Sequence, residues 1–376
     1  MWIAIVIVLL TFVFWVFSYN GMRKIKATRP KLDPKRMPPV SIIIPAYKSD
    51  KTIEQVIKSV KRMDYPNKEI IVVNDFDDKT PSICRKHKVK LIQNKKRMGK
   101  SVSLDIAGKK AKNDILLFID SDTIVEKDVL RKLVPWFYNP KISVAMPTFV
   151  GKNQKGIAKL VAIENIFTHS HLRTHAHFGS LISFRGCCFA MKKSALKKAG
   201  GWGESLTEDN DMGGKLAKNG HIIQWEPEAI VRTVEPETVK ELKRQKIRWG
   251  AGSAYSFFRH RKFYRKCPQF LLYFLPYIIF GFLTTFLGLC YLYYAIISLS
   301  FIPILGLIIE AALITLATYF HITVLIYSER GFMNPILLLK YMLYYTPIVT
   351  YFYFRGFVKG IKGKKRKIPE MDLNLW

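Results

Sequence analysis

Apolar and polar residues divide the chain into three blocks. Residues 1–18 are nearly uncharged, 19–270 are polar and rich in lysine, and 271–354 again carry only a handful of charges. Trp2 to Phe17 is about the minimum apolar run for a membrane-spanning helix once flanking residues are counted. It lacks a basic stretch ahead of it and a small-residue cleavage site, so it predicts an uncleaved anchor with its N-terminus outside. Three later stretches, Phe270 to Leu299, Ile302 to Tyr327 and Pro335 to Phe354, predict further membrane or interfacial helices. If all three cross, the basic run from Arg355 to Lys367 lies outside, against the tendency of Lys and Arg to stay cytoplasmic, so one stretch is expected to be interfacial or re-entrant. Glu310 falls within an apolar run, where an ionisable group is expected near an interface or paired with a neighbouring helix.

Between these blocks the periodicity changes to that of an α/β domain. Val40 to Pro45 is a short β-branched run that predicts a buried strand, and Asp50 to Met63 has apolar residues at helical spacing, Ile53, Val56, Ile57 and Val60. Glu69 to Asn74, Lys90 to Gln93 and Ile115 to Ile119 predict three more strands. Strands alternating with helices imply a mostly parallel sheet with right-handed crossovers, and ligands of such sheets bind beyond the carboxyl ends of the strands. Asp75 follows the second strand, and Asp120 and Asp122 follow the fourth. The three carboxylates are thus expected on one rim. The resulting organisation is an N-terminal anchor at 1–20, an α/β domain at 38–265 including interfacial helices, C-terminal membrane or interfacial helices at 268–356, and a basic tail at 357–376.

The 376 residues include 60 Lys and Arg against 28 Asp and Glu, a net charge of +32. Such an excess invites a nucleic-acid reading. No helix-turn-helix, zinc-finger or aromatic RNA-binding signature accompanies it, and basic residues cluster beside apolar spans, with Arg23, Lys24, Lys26, Arg29 and Lys31 following the first. The pattern fits a protein of the cell membrane whose α/β domain is cytoplasmic and faces anionic lipid. No nucleic-acid partner is expected. Five cysteines offer no CxxC pair, as suits a reducing compartment. His171 and His175 are four apart, yet no Glu follows the first and no third ligand is evident, so His169 to His177 reads as part of an amphipathic surface helix rather than a zinc site.

Two short strings carry the most chemistry: Thr207-Glu208-Asp209, and Gln245-Lys246-Ile247-Arg248-Trp249 downstream. With Asp120-Ser121-Asp122 ahead of them and apolar spans at both ends, they resemble the TED, QxxRW and Asp-x-Asp signatures of membrane-bound glycosyltransferase family 2. That group contains the cellulose, chitin, hyaluronan and poly-N-acetylglucosamine synthases. Ile44-Pro45-Ala46-Tyr47, Asn74-Asp75, Arg97-Met98-Gly99-Lys100-Ser101 and the segment Ser183 to Met191 extend the resemblance over most of residues 38–265. The fold it implies is a GT-A nucleotide-sugar-binding domain with transmembrane helices at both ends.

The resemblance also implies roles. Asp120 and Asp122 would hold Mg²⁺ or Mn²⁺, and side chains two apart on an extended segment point the same way. Asp75 would contact the nucleotide base, although the usual Asp-Asp-Gly-Ser is here Asn74-Asp75-Phe76-Asp77. Lys100 and Gln245 would assist nucleotide-sugar binding. Asp209, with Glu208 beside it, would accept the acceptor's proton, and Thr207 would cap the following helix and help bind the acceptor. A helix starting near Pro236 would put Gln245, Arg248 and Trp249 on one face, Arg248 toward the diphosphate and Trp249 under the acceptor ring. The implied activity is inverting transfer from a UDP-sugar to an acceptor sugar in β linkage, as in polysaccharide synthesis. The few apolar spans leave open a homo-oligomer, single transfer to a glycolipid acceptor, or a silent nucleotide-sugar-binding subunit of a membrane complex.

Overall fold

In the computed structural model the β-branched runs form the first strands of a single eight-stranded sheet. The structure describes residues 2–76, 79–179, 181–203, 205–264 and 334–363, with 293–294, 296–298, 305–306 and 308–309. Nearly all of the expected stretches 270–299 and 302–327, with Glu310, Cys267, Cys290 and Asp77, lies outside the described residues, as does the tail from 364.

Helix α1 (Trp2–Thr28) leads to β1 (Val40–Ala46), α2 (Ile53–Lys61), β2 (Lys68–Asn74), α3 (Thr80–Lys86), β3 (Lys90–Gln93), α4 (Lys100–Lys110) and β4 (Ile115–Ile119). There follow β5 (Ile124–Val125), α5 (Val129–Leu133), β6 (Ile142–Gly151), α6 (Ala158–His177), β7 (Cys188–Lys192), α7 (Lys193–Lys198), α8 (Glu208–Lys218), β8 (Ile222–Thr233) and α9 (Val239–Tyr264). Later in the chain come α10 (Pro335–Lys340), a π-helical turn at Tyr341–Tyr345 and α11 (Thr346–Gly363).

The sheet order is β3-β2-β1-β4-β7-β6-β8-β5. Strands β3, β2, β1 and β4 are mutually parallel, as the alternation of elements predicted. Beyond β4 the sheet is mixed: β7 runs antiparallel to both β4 and β6, β8 is parallel to β6, and β5 is antiparallel to β8. Strands β1 and β4 are buried at every position. Apart from Ser41 both strands are apolar throughout, as suits strands covered on both faces. Ile53, Val56, Ile57 and Val60 of α2 are fully buried, which confirms the spacing that predicted the helix.

Contacts divide the chain into two compact units. One comprises residues 1–24, 166–178 and 261–348. Within it Gly21 lies against the Arg173 backbone, where a Cβ would come 1.7 Å from the carbonyl oxygen. Phe17 stacks on His177 at 5.1 Å, and Lys24 Nζ donates to the His177 carbonyl at 3.1 Å. The histidine-rich part of α6 thus packs against α1, and His169 and His175 are buried. The second unit, 25–165, 179–260 and 349–376, holds the whole sheet. This sheet-bearing unit is discontinuous in sequence, with 166–178 outside it and the described residues 349–363 within it. Its last described helix, α11, packs on α9 through small residues: a Cβ on Gly356 would meet the Ile247 carbonyl at 2.2 Å, and one on Gly360 the Ala251 carbonyl at 2.5 Å. Tyr353 of α11 donates to Ser253 Oγ of α9 at 2.6 Å.

Among the described residues no helix is long and apolar enough to cross a membrane. Helix α1 is 27 residues long, and the side chains of its residues 2–11 and 14 are outside the description.

Candidate active site

Asp75, one residue past β2, is buried, and its carboxylate accepts three hydrogen bonds. Asn94 Nδ2 and Met98 N donate to Oδ1 at 2.9 and 2.7 Å, and Gly99 N donates to Oδ2 at 2.8 Å. Both oxygens are engaged inside the protein. The carboxylate thereby holds the segment from Asn94 to Gly99 at the rim of the sheet. Gly99 takes φ +83°, a conformation that a side chain resists, and so turns the chain into α4. Lys100 is the first residue of that helix.

Lys100 lies at the centre of the site. Its Nζ is 2.6 Å from Asp120 Oδ1 and 2.7 Å from Glu208 Oε1. Burial acts to lower its pKa, but the two carboxylates outweigh this and hold the ammonium above the usual lysine range. The same contact joins the Asp-x-Asp to the Thr-Glu-Asp string. Burial pushes Glu208 up, yet Lys100 and then Arg248 bring it below the ordinary carboxylate value.

Asp120 and Asp122 come together by a different route from the one expected. Strand β4 ends at Ile119, and Asp120 to Asp122 form a turn closed by Thr123 N donating to the Asp120 carbonyl at 3.1 Å. The turn is tied to the end of β1 through Ser49 and Ser121, whose hydroxyls are 2.7 Å apart. An extended segment therefore does not align the two carboxylates. They remain close enough to interact: Asp122 is pushed up to about 6, first by burial and then by Asp120, and burial also raises Asp120 against the pull of Lys100.

Asp209 stands in the first turn of α8. Gly186 N donates to its Oδ2 at 2.7 Å and Asn210 N to its Oδ1 at 2.8 Å. A Cβ at Gly186 would lie 2.8 Å from Oδ2, so a larger residue there would have to displace the carboxylate. Burial, reinforced by Glu208, pushes Asp209 up to about 6. Thr207 occupies the N-cap position but makes no capping bond. Its hydroxyl is buried without a hydrogen-bond partner, and a Cβ on Gly252 of α9 would come within 2.2 Å of it. Through this contact α9 is seated on the Thr-Glu-Asp string.

Helix α9 starts at Val239, three residues later than Pro236 suggested, and it carries Gln245, Arg248 and Trp249 as predicted. Arg248 lies within electrostatic reach of Asp120, Glu208 and Asp209 and lowers the pKa of each. Gln245 Oε1 is buried without a hydrogen-bond partner. Trp249 is not a bare platform: Lys246 Nζ is 4.0 Å and the Arg185 guanidinium 5.0 Å from its ring centroid. Lys246 is buried and paired to Glu164 at 2.5 Å, and Arg185 also lies 4.0 Å from the Phe149 ring centroid. Sequence reading missed Arg185, Gly186 and Lys246 as site residues. All three lie inside strings that had been noticed, but no spacing rule distinguishes them there. Cys187 lies among the same acids, with a thiol pushed up to about 12 chiefly by burial, so it supplies no thiolate nucleophile.

Among the described residues no group of three or more His, Cys, Asp or Glu could hold a metal ion. Asp120 and Asp122 supply two hard oxygen donors, which suits an ion whose shell is completed by substrate phosphates and water.

The chain is 28% identical over 269 residues to the poly-beta-1,6-N-acetyl-D-glucosamine synthase of Staphylococcus epidermidis, covering 69% of this chain and 65% of the relative. It is also 28% identical over 233 residues to the enzyme of that name from Staphylococcus aureus strain COL, covering 60% of this chain and 57% of the relative. The match thus spans less than two thirds of those relatives. Among solved structures, the mannosyltransferase PcManGT from Pyrobaculum calidifontis, in complex with GDP-Man and Mn²⁺, superposes with a TM-score of 0.60 over 96% of this chain and 99% of that one at 19% identity. That likeness shows a shared GT-A-like fold. Residues 38–252 match the family described as glycosyltransferase like family 2, which is more than half of the chain. The chain belongs to this family, and residues 38–252 are its glycosyltransferase domain.

Proposed function

We propose that the protein transfers a sugar from a UDP-sugar to an acceptor sugar in β linkage at the cell membrane, in the synthesis of a polysaccharide. The observation that carries this reading is Asp209: a carboxylate raised to about 6 beside the Lys100, Asp120 and Glu208 cluster, on the rim of a GT-A-like sheet. A base with a pKa near the working pH is ionised yet still able to accept a proton. Asp209 takes the proton of the acceptor hydroxyl as its oxygen bonds to the anomeric carbon. The bond from that carbon to the diphosphate breaks on the opposite face, and UDP leaves with the electron pair, so the configuration inverts. Arg248 and Lys100 are the cations positioned to receive the departing charge. Mg²⁺ or Mn²⁺ held by Asp120 and Asp122 would supply further neutralisation of the diphosphate. Trp249, flanked by its two cations, is the aromatic surface for the acceptor ring.

The membrane part of the reading rests on α1. The uncharged part of α1, Trp2 to Met22, would be about 31 Å long as a helix, close to the roughly 30 Å apolar core of a bilayer. Lys and Arg gather at its C-terminal end, which favours a cytoplasmic catalytic domain. The poly-N-acetylglucosamine relatives favour a polymer as product.

Membranes containing the protein, supplied in turn with radiolabelled UDP-sugars and Mn²⁺ or Mg²⁺, are expected to yield a labelled product of high molecular mass. Chelation with EDTA should abolish it and added Mn²⁺ restore it. A single-sugar glycolipid would exclude polymer synthesis, and no incorporation from any donor would exclude the transferase reading.

A further inference from the structure

Lys100 raises a question that the transfer mechanism leaves open. Its ammonium is within 2.6 Å of Asp120 Oδ1, one of the oxygens that a divalent cation at the Asp-x-Asp would need. The other end of its hold is Glu208 Oε1 at 2.7 Å, on a side chain that is almost entirely buried. The lysine has little freedom to withdraw into solvent, because its own side chain is only 16% exposed. Its position is fixed from below by the Asp75 carboxylate, which folds residues 94–99 and delivers Lys100 at the start of α4.

We infer that Lys100 is an internal counter-ion that keeps the Asp120 and Asp122 site closed to a divalent cation until a diphosphate draws the ammonium away from Asp120. This rests on reading Asp120 and Asp122 as the cation site. Where Lys100 pairs with Asp120 that oxygen is neutralised, and a cation arriving there meets a positive charge at contact distance. A nucleoside diphosphate offers Lys100 an alternative anionic partner while Glu208 keeps hold of it, so the side chain need only pivot. Asp120 is then released to the cation. Cation and nucleotide therefore bind with positive coupling beyond their own direct contact, and by linkage each strengthens the other equally. The device also gives a reason for a buried Glu in the Thr-Glu-Asp string: Glu208 tethers the lysine in both positions.

The test is Mn²⁺ binding, read from the loss of the free-ion electron paramagnetic resonance signal, with the full-length protein in detergent and UDP as the nucleotide. Without UDP, Lys100→Met is expected to bind Mn²⁺ about 10-fold or more tightly than wild type. With saturating UDP the order reverses or the difference vanishes, because the wild-type lysine then holds the diphosphate. The UDP-induced gain in Mn²⁺ affinity, expected within the roughly 5- to 150-fold range of such couplings in wild type, collapses in the variant. Lys100→Gln, which keeps a polar partner for Glu208, should behave like Lys100→Met and covers the case in which the methionine variant fails to fold. Unchanged or weaker Mn²⁺ binding by a folded variant without UDP overturns the inference. So does a parallel rise with and without UDP, which is the mark of a merely repulsive nearby charge. If wild type and variants bind no Mn²⁺ even with UDP, the assignment of the cation site itself falls, a distinct result from failure of the gate.

Discussion

Asp209 combines two hydrogen bonds from backbone amides, which favour its anion, with burial and a neighbouring Glu208, which oppose it. Burial and Glu208 win, and the carboxyl stays protonated up to about pH 6. The proton-accepting form is the ionised one, so turnover should fall as pH drops through about 6, reaching roughly a tenth of its plateau one unit lower. A pH profile of kcat/KM under saturating Mn²⁺ checks this; a profile flat down to pH 4 would remove Asp209 from the base role. Asp209→Asn should lower kcat by about 10²- to 10⁴-fold, the usual worth of general-base catalysis, while calorimetry shows UDP affinity changed by less than about threefold. The acids themselves were legible in the sequence because they directly follow recognisable strands or stand in a short string. Their surroundings were not. That Asp75 spends both oxygens on the 94–99 loop, and that Lys100 bridges two distant motifs, depends on residues 75, 100, 120 and 208 meeting in space, which no local pattern encodes.

Helix α9 is held from two sides, by Thr207 against Gly252 and by α11 against Gly250, Ile247 and Ala251. The backbones of α9 and α11 approach so closely that a side chain at Gly356 cannot be accommodated without moving one helix. Gly356→Val should therefore destabilise the protein by about 1–3 kcal/mol, the usual cost of overpacking, and reduce turnover by shifting Arg248 and Trp249. Phe354→Ala, on the exposed side of the same helix, should leave both nearly unchanged. Thermal unfolding and donor turnover on the two variants decide it; equal effects would mean that the α9 contact has no special weight. This packing was invisible beforehand, because Pro335 to Phe354 read as one apolar stretch and a Gly spacing of four has no partner until α9 is placed beside it. The early strands were readable for the opposite reason: β1 and β4 are buried throughout and short. Strand β6 contains Pro147, and its pairing with β8 shifts register at two places, so neither has a simple period. Strand β5 has two residues and owes its existence to β8 alone.

For the molecule as a whole, charge distribution supports orientation better than it supports any partner. The excess of 60 basic over 28 acidic residues has its densest runs beside apolar segments. In α11 the exposed positions combine Tyr351, Phe354 and Ile361 with Arg355, Lys359 and Lys362, and the helix has no acidic residue. Apolar and basic groups on one exposed helix suit the headgroup region of an anionic leaflet. In the proposed orientation such a leaflet faces the cytoplasm. The proposed orientation would put the glycosyltransferase domain on the cytoplasmic side of the membrane. Trypsin, which cuts after Lys and Arg, should then spare the domain in intact spheroplasts and degrade it in inverted membrane vesicles, and alkaline carbonate should fail to release the protein from either. Digestion of the domain in intact spheroplasts would reverse the orientation, and release by carbonate would overturn the role of α1 as an anchor.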